Sequence, residues 1–304
     1  MYLLESNNLQ FGYDKNHLTI DDLSLAVPKG AIYGFLGHNG AGKSTTIRLI
    51  LGLMRPLGGS VSVFGMPLAT NTQAIYKRVG ALIESPSLYE HLSATDNLRV
   101  TAAYCQIGKQ RIEEVLDIVG LSDEGKKPVK AYSTGMKQRL GLASALLNDP
   151  ELIILDEPAN GLDPQGIVEL RTIIQRLNTD FGKTIFLSSH ILSEIEVICS
   201  HIGIIKKGKK LFEGTIGDLK RANTEGVVVS LETTDKAKTM QILADRGIKT
   251  AQHGHPNALI LELADKSSIP NIAAQLVQND IGIYEVKIKN QRLEDIFLTL
   301  TEQQ

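Results

Sequence analysis

The sequence predicts an α/β fold followed by a smaller α+β domain, and three observations carry that prediction. The stretch GHNGAGKST, residues 37–45, lies between an apolar, strand-like run and a helical pattern. A second apolar run, LIIL at 152–155, ends on two adjacent acidic residues. Beyond residue 220 the pattern shortens into strands alternating with helices. At 304 residues the chain suits one large domain plus a smaller one, or two domains.

Gly37, four further residues, then Gly42, Lys43 and Ser44 match the phosphate-binding loop pattern. AIYGFL before it reads as a strand, and Ile47, Ile50, Leu51 and Met54 after it follow helical spacing. Without side chains in the way, backbone N–H groups cradle an anion at the positive end of that helix. Gly37, Asn39, Gly40, Ala41, Gly42, Lys43, Ser44 and Thr45 are therefore the candidate nucleotide-binding residues. Lys43 reaches the outer phosphates and the Ser44 hydroxyl is a candidate Mg²⁺ ligand. FGKT at 181–184 also carries Gly-Lys-Thr, but it lacks the earlier glycine and leads into a strand, so it reads as a loop.

A phosphate loop needs an acidic partner. ELIILDEPANGLDP, residues 151–164, supplies one: a buried strand ends on Asp156, placed to hold Mg²⁺ directly or through water, and Glu157. Glu157 is then free to orient the attacking water or accept its proton.

Composition narrows the function classes. With 32 basic and 34 acidic residues, charge does not favour nucleic acid as a partner. Cys105 and Cys199 form no metal-type spacing, and MYLLESNNLQ lacks a basic region followed by an apolar core, which points to a reduced, cytosolic protein. No apolar run approaches the ~18 residues needed to cross a bilayer, so direct membrane insertion is not expected.

YSTGMKQRLGLASALLNDP, residues 132–150, follows with Ser133 as a helix N-cap and Met136, Leu140, Ala143 and Leu147 as an apolar stripe. In this order of motifs the chain resembles the nucleotide-binding subunits of ATP-binding cassette (ABC) transporters, from the N-terminus to about residue 220. That resemblance implies a P-loop NTPase core of ABC type, with an antiparallel β lobe and a helical lobe at about 86–148. The segment at 133–136 stands where the family signature usually reads Ser-Gly-Gly-Gln; here it is Ser133, Thr134, Gly135 and Met136. By resemblance, Ser133 and Gly135 bind the nucleotide of a second subunit, and Asp163 belongs to the subunit-contact loop. His190, ending TIFLSSH, resembles the switch histidine that touches the γ-phosphate; Tyr13 resembles the aromatic that stacks on adenine, although Phe11 lies on the same strand face.

Glu84 departs from the glutamine usual at the junction between core and helical lobe. With ESPSLYEHL after it, it resembles the subgroup that exports peptide antibiotics, in lantibiotic self-immunity and bacitracin resistance. There its carboxylate offers an oxygen to Mg²⁺ or water, with a role in catalysis or coupling. The resemblance implies an ATPase using ATP and Mg²⁺, a homodimer in the ATP-bound state, and one or more separate transmembrane permease subunits. It implies a cytoplasmic chain held on the inner face of the membrane through that permease. Two rivals fit less well. A chromosome-maintenance ATPase needs a long coiled coil where this chain has about 90 residues without heptads, and a translation-associated cassette protein usually carries two cassettes. Drug or lipid export, or a non-transport ATP-dependent switch, stay open as alternatives.

Residues 221–304 read as a small α+β domain. GVVVSLE, NALILEL and IYEVKIK are strands, with helices at about 235–246 and 267–279 and a final amphipathic helix RLEDIFLTLT. Its LEDIF ending resembles the C-terminal extension of antibiotic and drug exporters. His253 and His255 in HGHPN read as turn residues without a third metal ligand nearby.

Overall fold

The computed structural model describes residues 1–14, 17–222, 227–248, 250–252, 258–263, 265–289 and 293–302. They form two compact units, Met1–Ile216 and Gly217–Gln304. The first begins with β1 (Tyr2–Phe11), β2 (Ile20–Pro28), β3 (Ile32–Leu36), α1 (Lys43–Ile50), β4 (Gly58–Val63), β5 (Met66–Pro67), α2 (Leu68–Tyr76) and β6 (Val79–Leu82). A helical stretch follows: α3 (Ala94–Cys105), α4 (Lys109–Ile118), a 3-10 turn at Val129–Ala131 and α5 (Thr134–Leu146). The chain then returns through β7 (Leu152–Leu155), α6 (Pro164–Thr179), β8 (Thr184–Ser189), α7 (Leu192–Ile198), β9 (His201–Lys206) and β10 (Lys209–Thr215).

These strands make two sheets. One is antiparallel with order β2-β1-β4-β5; the other has order β10-β9-β3-β8-β7-β6, parallel except for the β9–β10 pair. Every residue of β3, β7 and β8 is buried, as expected of parallel strands covered on both faces. Phe186 at their centre stacks on Tyr33 with ring centroids 5.4 Å apart and touches Phe35 at 5.5 Å. Truncating such a ring to alanine costs about 3–5 kcal/mol. Because β8 lies between β3 and β7, the segments leaving all three emerge side by side at the carboxyl end of the sheet, where open α/β sheets bind ligands.

Local chemistry sets the helix ends. Gly52 (φ 67°) turns the chain just after α1, so Met54 packs on the core from outside the helix its spacing suggested. Ser133 Oγ accepts from the Met136 N–H at the start of α5, and Asp163 Oδ1 accepts from the Gly166 N–H at 2.8 Å at the start of α6, with Pro164 in the first turn.

The second unit comprises most of α8 (Ile216–Ala222), then β11 (Val227–Thr233), α9 (Lys236–Ala244), β12 (Thr250–Gln252), β13 (Ala258–Leu263), α10 (Ser268–Gln278), β14 (Ile283–Lys289) and α11 (Leu293–Glu302). Its sheet has order β12-β13-β11-β14 with antiparallel neighbours, the split βαββαβ arrangement. Val229, Leu231, Leu259 and Leu261 face Leu243 of α9 and Ile272 and Leu276 of α10 in one apolar core. His253 and His255 lie outside the described residues.

Candidate functional site

The loop after β3 needs its glycines for room as well as for conformation. A Cβ on Gly37 would stand 2.7 Å from the Ile205 carbonyl oxygen, and one on Gly42 (φ +109°) would meet Ile20 Cδ1 at 2.6 Å. Gly40 also has positive φ, at 80°. No side chain caps the N-terminus of α1, where Gly42 stands as the N-cap, so the positive end of that helix is free for an anion.

Lys43 is buried and folded back on its own loop. Its Nζ donates to the Gly37 carbonyl at 2.7 Å and to His38 at 3.4 Å, and lies 3.0 Å from Glu157 Oε1. The lysine–glutamate contact has the distance of an ion pair but not the alignment of a hydrogen bond, and Glu157 Oε1 is buried without a hydrogen-bond partner. Glu157 Oε2 is 2.7 Å from His190 Nδ1.

Ser188 holds the two carboxylates in place. This buried hydroxyl donates to Asp156 Oδ1 at 2.6 Å and accepts from the Glu157 N–H at 2.8 Å. The other Asp156 oxygen, Oδ2, is buried with no hydrogen-bond partner. A buried, unpartnered carboxylate oxygen beside a phosphate-binding loop is the donor chemistry that suits a hard divalent cation. Glu157 itself has φ 47°, a left-handed conformation uncommon for glutamate, and such strain concentrates at functional sites.

Lys43, Glu157 and His190 share one open cleft of about 430 Å³, lined also by Tyr13, Thr19, Asn39, Gly40, Gly42, Ser44, Thr45 and Asn160; Asp156 and Ser188 do not line it. Tyr13 stands at its rim, 63% exposed, its hydroxyl 3.1 Å from Thr45 Oγ1. Phe11 ends β1, so the two aromatics do not share a strand face; Tyr13 lies beyond the strand and meets the Phe11 ring edge-on at 5.1 Å. Gly37 and Ala41 shape the loop from beneath without lining the cleft.

The remaining candidates lie elsewhere in the first unit. Ser133, Gly135 and Asp163 sit at the N-termini of α5 and α6 and do not line the cleft of their own chain. Glu84 (φ 58°) does not line it either; its exposed carboxylate pairs with Arg48 on α1. Three residues of the site escaped the motif analysis: Thr19, Asn160 and Ser188. Only Ser188 left a trace in the sequence, two positions before His190 at the end of a buried strand. Among the described residues no cluster of three or more His, Cys, Asp or Glu side chains could hold a metal by itself, and no helix is long and apolar enough to cross a membrane.

The family model described as ABC transporter matches residues 20–160. The bacitracin transport ATP-binding protein BcrA of Bacillus licheniformis is 42% identical over 283 residues, covering 93% of this chain and 92% of the relative. The lantibiotic transport ATP-binding protein SrtF of Streptococcus pyogenes is 43% identical over 211 residues, covering 69% of this chain and 90% of the relative. A solved structure of an ATP binding subunit of an ABC transporter superposes with a TM-score of 0.64 at 33% identity, over 72% of this chain and 92% of that one. With its phosphate loop, Glu157 and His190 gathered in one cleft and kinship over nearly its whole length, the chain belongs to the ATP-binding, ATP-hydrolysing proteins of ABC transporters.

Proposed function

We propose that this chain powers a separately encoded membrane permease that removes a peptide antibiotic from the cell or its membrane. The observation that carries the ATPase step is the junction of Lys43, Glu157 and His190 over one cleft. ATP enters at the N-terminus of α1, and Lys43 exchanges Glu157 for the outer phosphates. Released from that contact, Glu157 takes the proton of the attacking water while His190 Nδ1 holds its other oxygen. Asp156 and Ser44 fit Mg²⁺, with Asp156 Oδ2 as the unpartnered oxygen; the ion supplies charge neutralisation on the phosphates.

The chain works as a homodimer that closes on ATP. Each site takes Ser133, Gly135 and the α5 N-terminus from the other copy. Support comes from their position: both residues stand at a helix N-terminus and neither lines the cleft of its own chain. Glu84 belongs to the path toward the permease, which holds the chain at the inner membrane face. Peptide antibiotics are favoured as cargo by the near full-length likeness to a bacitracin transport protein and the likeness to a lantibiotic transport protein.

The test is protection of cells that carry the cognate permease against bacitracin and against a lantibiotic. The wild-type chain should protect and Lys43→Ala should not. If deletion of the gene leaves sensitivity to both unchanged while the purified complex still hydrolyses ATP, the cargo is of another class.

A further inference from the structure

The geometry points to Gly208, at the tip of the β9–β10 hairpin, as a positioning residue for the nucleotide's phosphates. Its N–H fixes the peptide between Ala41 and Gly42 so that the Gly42 N–H faces the cleft.

Lys206 and Lys209 pair across the hairpin, so Lys207 and Gly208 form a two-residue turn. Both have left-handed backbones, with φ of 47° and 79°, as the favoured turn of this length requires. Such a turn closes by a bond between its outer residues and leaves the amide of its second central residue without a partner inside the hairpin. That amide reaches the phosphate loop. Gly208 N–H donates to the Ala41 carbonyl at 3.0 Å, and the Gly208 carbonyl accepts from the Asp21 N–H at 3.0 Å. Lys209 Nζ, 3.0 Å from Asp21 Oδ2, ties the same junction through side chains. Just before the turn, Ile205 lies beneath the loop: its carbonyl oxygen and Cγ2 are the atoms that a Cβ on Gly37 would meet, at 2.7 and 2.8 Å.

The peptide between residues 41 and 42 is trans, and in a planar trans peptide the C=O and N–H point in opposite directions. With the Ala41 oxygen held by the hairpin, the Gly42 N–H is turned to the other side; Gly42 lines the cleft and Ala41 does not. Glycine at 42 gives this peptide the freedom to turn over. A turned peptide would present a carbonyl oxygen to the phosphates, so the loop needs an external tie. Only glycine fits at 208 itself. A Cβ there would stand 2.2 Å from the Thr19 carbonyl oxygen, and the tip would have to withdraw by about 1 Å, which breaks the contact with Ala41.

This inference rests on the phosphate loop being the nucleotide site, as proposed above. The test measures binding of ATP and of tripolyphosphate, which has no base, to the full-length chain with Mg²⁺. Gly208→Ala and Gly208→Asn should each bind both ligands about tenfold more weakly. KM for ATP should rise by a like factor while kcat stays within about threefold. Asparagine accepts a left-handed backbone better than alanine, so Gly208→Asn should be the more stable variant; a shared loss of binding then follows the added Cβ and not stability. Gly65→Ala, at the tip of the β4–β5 hairpin with φ 73° and open space around it, carries the backbone cost without the contact and should bind both ligands as wild type does. In the wild-type chain the Gly42 amide proton should move downfield when tripolyphosphate binds, as an N–H donating to an anion does; in the Gly208 variants that shift should be absent. Gly208 variants that bind tripolyphosphate as wild type does, or a wild-type Gly42 amide that does not respond, would overturn the proposal. Lys43→Ala is the reference: if it weakens tripolyphosphate binding and the Gly208 variants do not, this proposal alone fails, and if it has no effect either, the phosphate-loop reading fails with it.

Discussion

Replacing Glu157 by glutamine separates its two roles. The carboxylate touches Lys43 Nζ through Oε1 at 3.0 Å and His190 Nδ1 through Oε2 at 2.7 Å. Glutamine keeps the length and one acceptor but can neither take a proton nor pair with lysine. Loss of a positioned general base lowers turnover by about 10²–10⁴-fold. The nucleotide side should not fall with it. Lys43 is held by Glu157, so ATP has to compete for it. A largely buried ion contact repays only part of its own desolvation, so its removal should leave ATP binding unchanged or somewhat tighter. Phosphate release measures turnover, a fluorescent ATP analogue measures affinity, and size-exclusion chromatography with ATP should show a trapped dimer. Turnover at the wild-type rate would remove Glu157 from the chemistry. A tenfold loss of ATP affinity would refute the competition for Lys43.

Other expectations follow from single contacts. Ser188→Ala removes the hydroxyl that ties Asp156 to the Glu157 backbone and leaves the buried Asp156 Oδ1 and the part-buried Glu157 N–H without that partner; turnover should fall at least tenfold with a stability loss of about 1–3 kcal/mol, read by phosphate release and denaturant titration. Arg48→Ala and Glu84→Gln each break an exposed pair outside the cleft. Each should cost under about 1 kcal/mol of stability and leave the isolated chain's ATPase rate nearly unchanged while reducing antibiotic protection through the permease; a tenfold drop in the isolated rate would put Glu84 in the chemistry. Lys183, 2.7 Å away, holds the Asp149 carboxyl below the ordinary carboxylate range, chiefly by hydrogen bonding. Because the folded value is lowered, the stability it lends is present above the unfolded value and disappears as pH falls through the folded one. Asp149→Asn should therefore be less stable than wild type at neutral pH, by under about 1 kcal/mol for so exposed a group, with the gap closing in acid.

What could be read from the sequence was whatever depends on near neighbours in the chain. The phosphate loop is contiguous, and the strand and helix that flank it declare themselves by period. The acidic pair and His190 each end a buried apolar run, which is why β7 and β8 and their strand-end residues were legible. Contacts that depend on strand order were not. Ser188 reaches Asp156 only because β8 lies beside β7, and nothing local marks one strand serine as structural and another as a clamp. Arg48 and Glu84 meet across 36 positions, and a charged residue on a helix reads as solvated until its partner is placed. IYEVKIK announces a strand but not whether it stands at the edge or the centre of its sheet. That distinction decides whether its alternate apolar residues are core or surface.

In the proposed mechanism one glutamate serves both as restraint and as base. Glu157 supplies the negative charge that Lys43 lacks, and the lysine is folded over the loop carbonyls of Gly37 and His38 instead of reaching toward solvent. A triphosphate brings more negative charge than one carboxylate and meets the free end of α1 as well, so it wins the lysine. Glu157 Oε1 is then released from Lys43 and is available to the attacking water. Ser188 keeps its backbone fixed throughout, and His190 keeps the other oxygen oriented. Nucleotide binding thus frees the base by taking away its ion-pair partner.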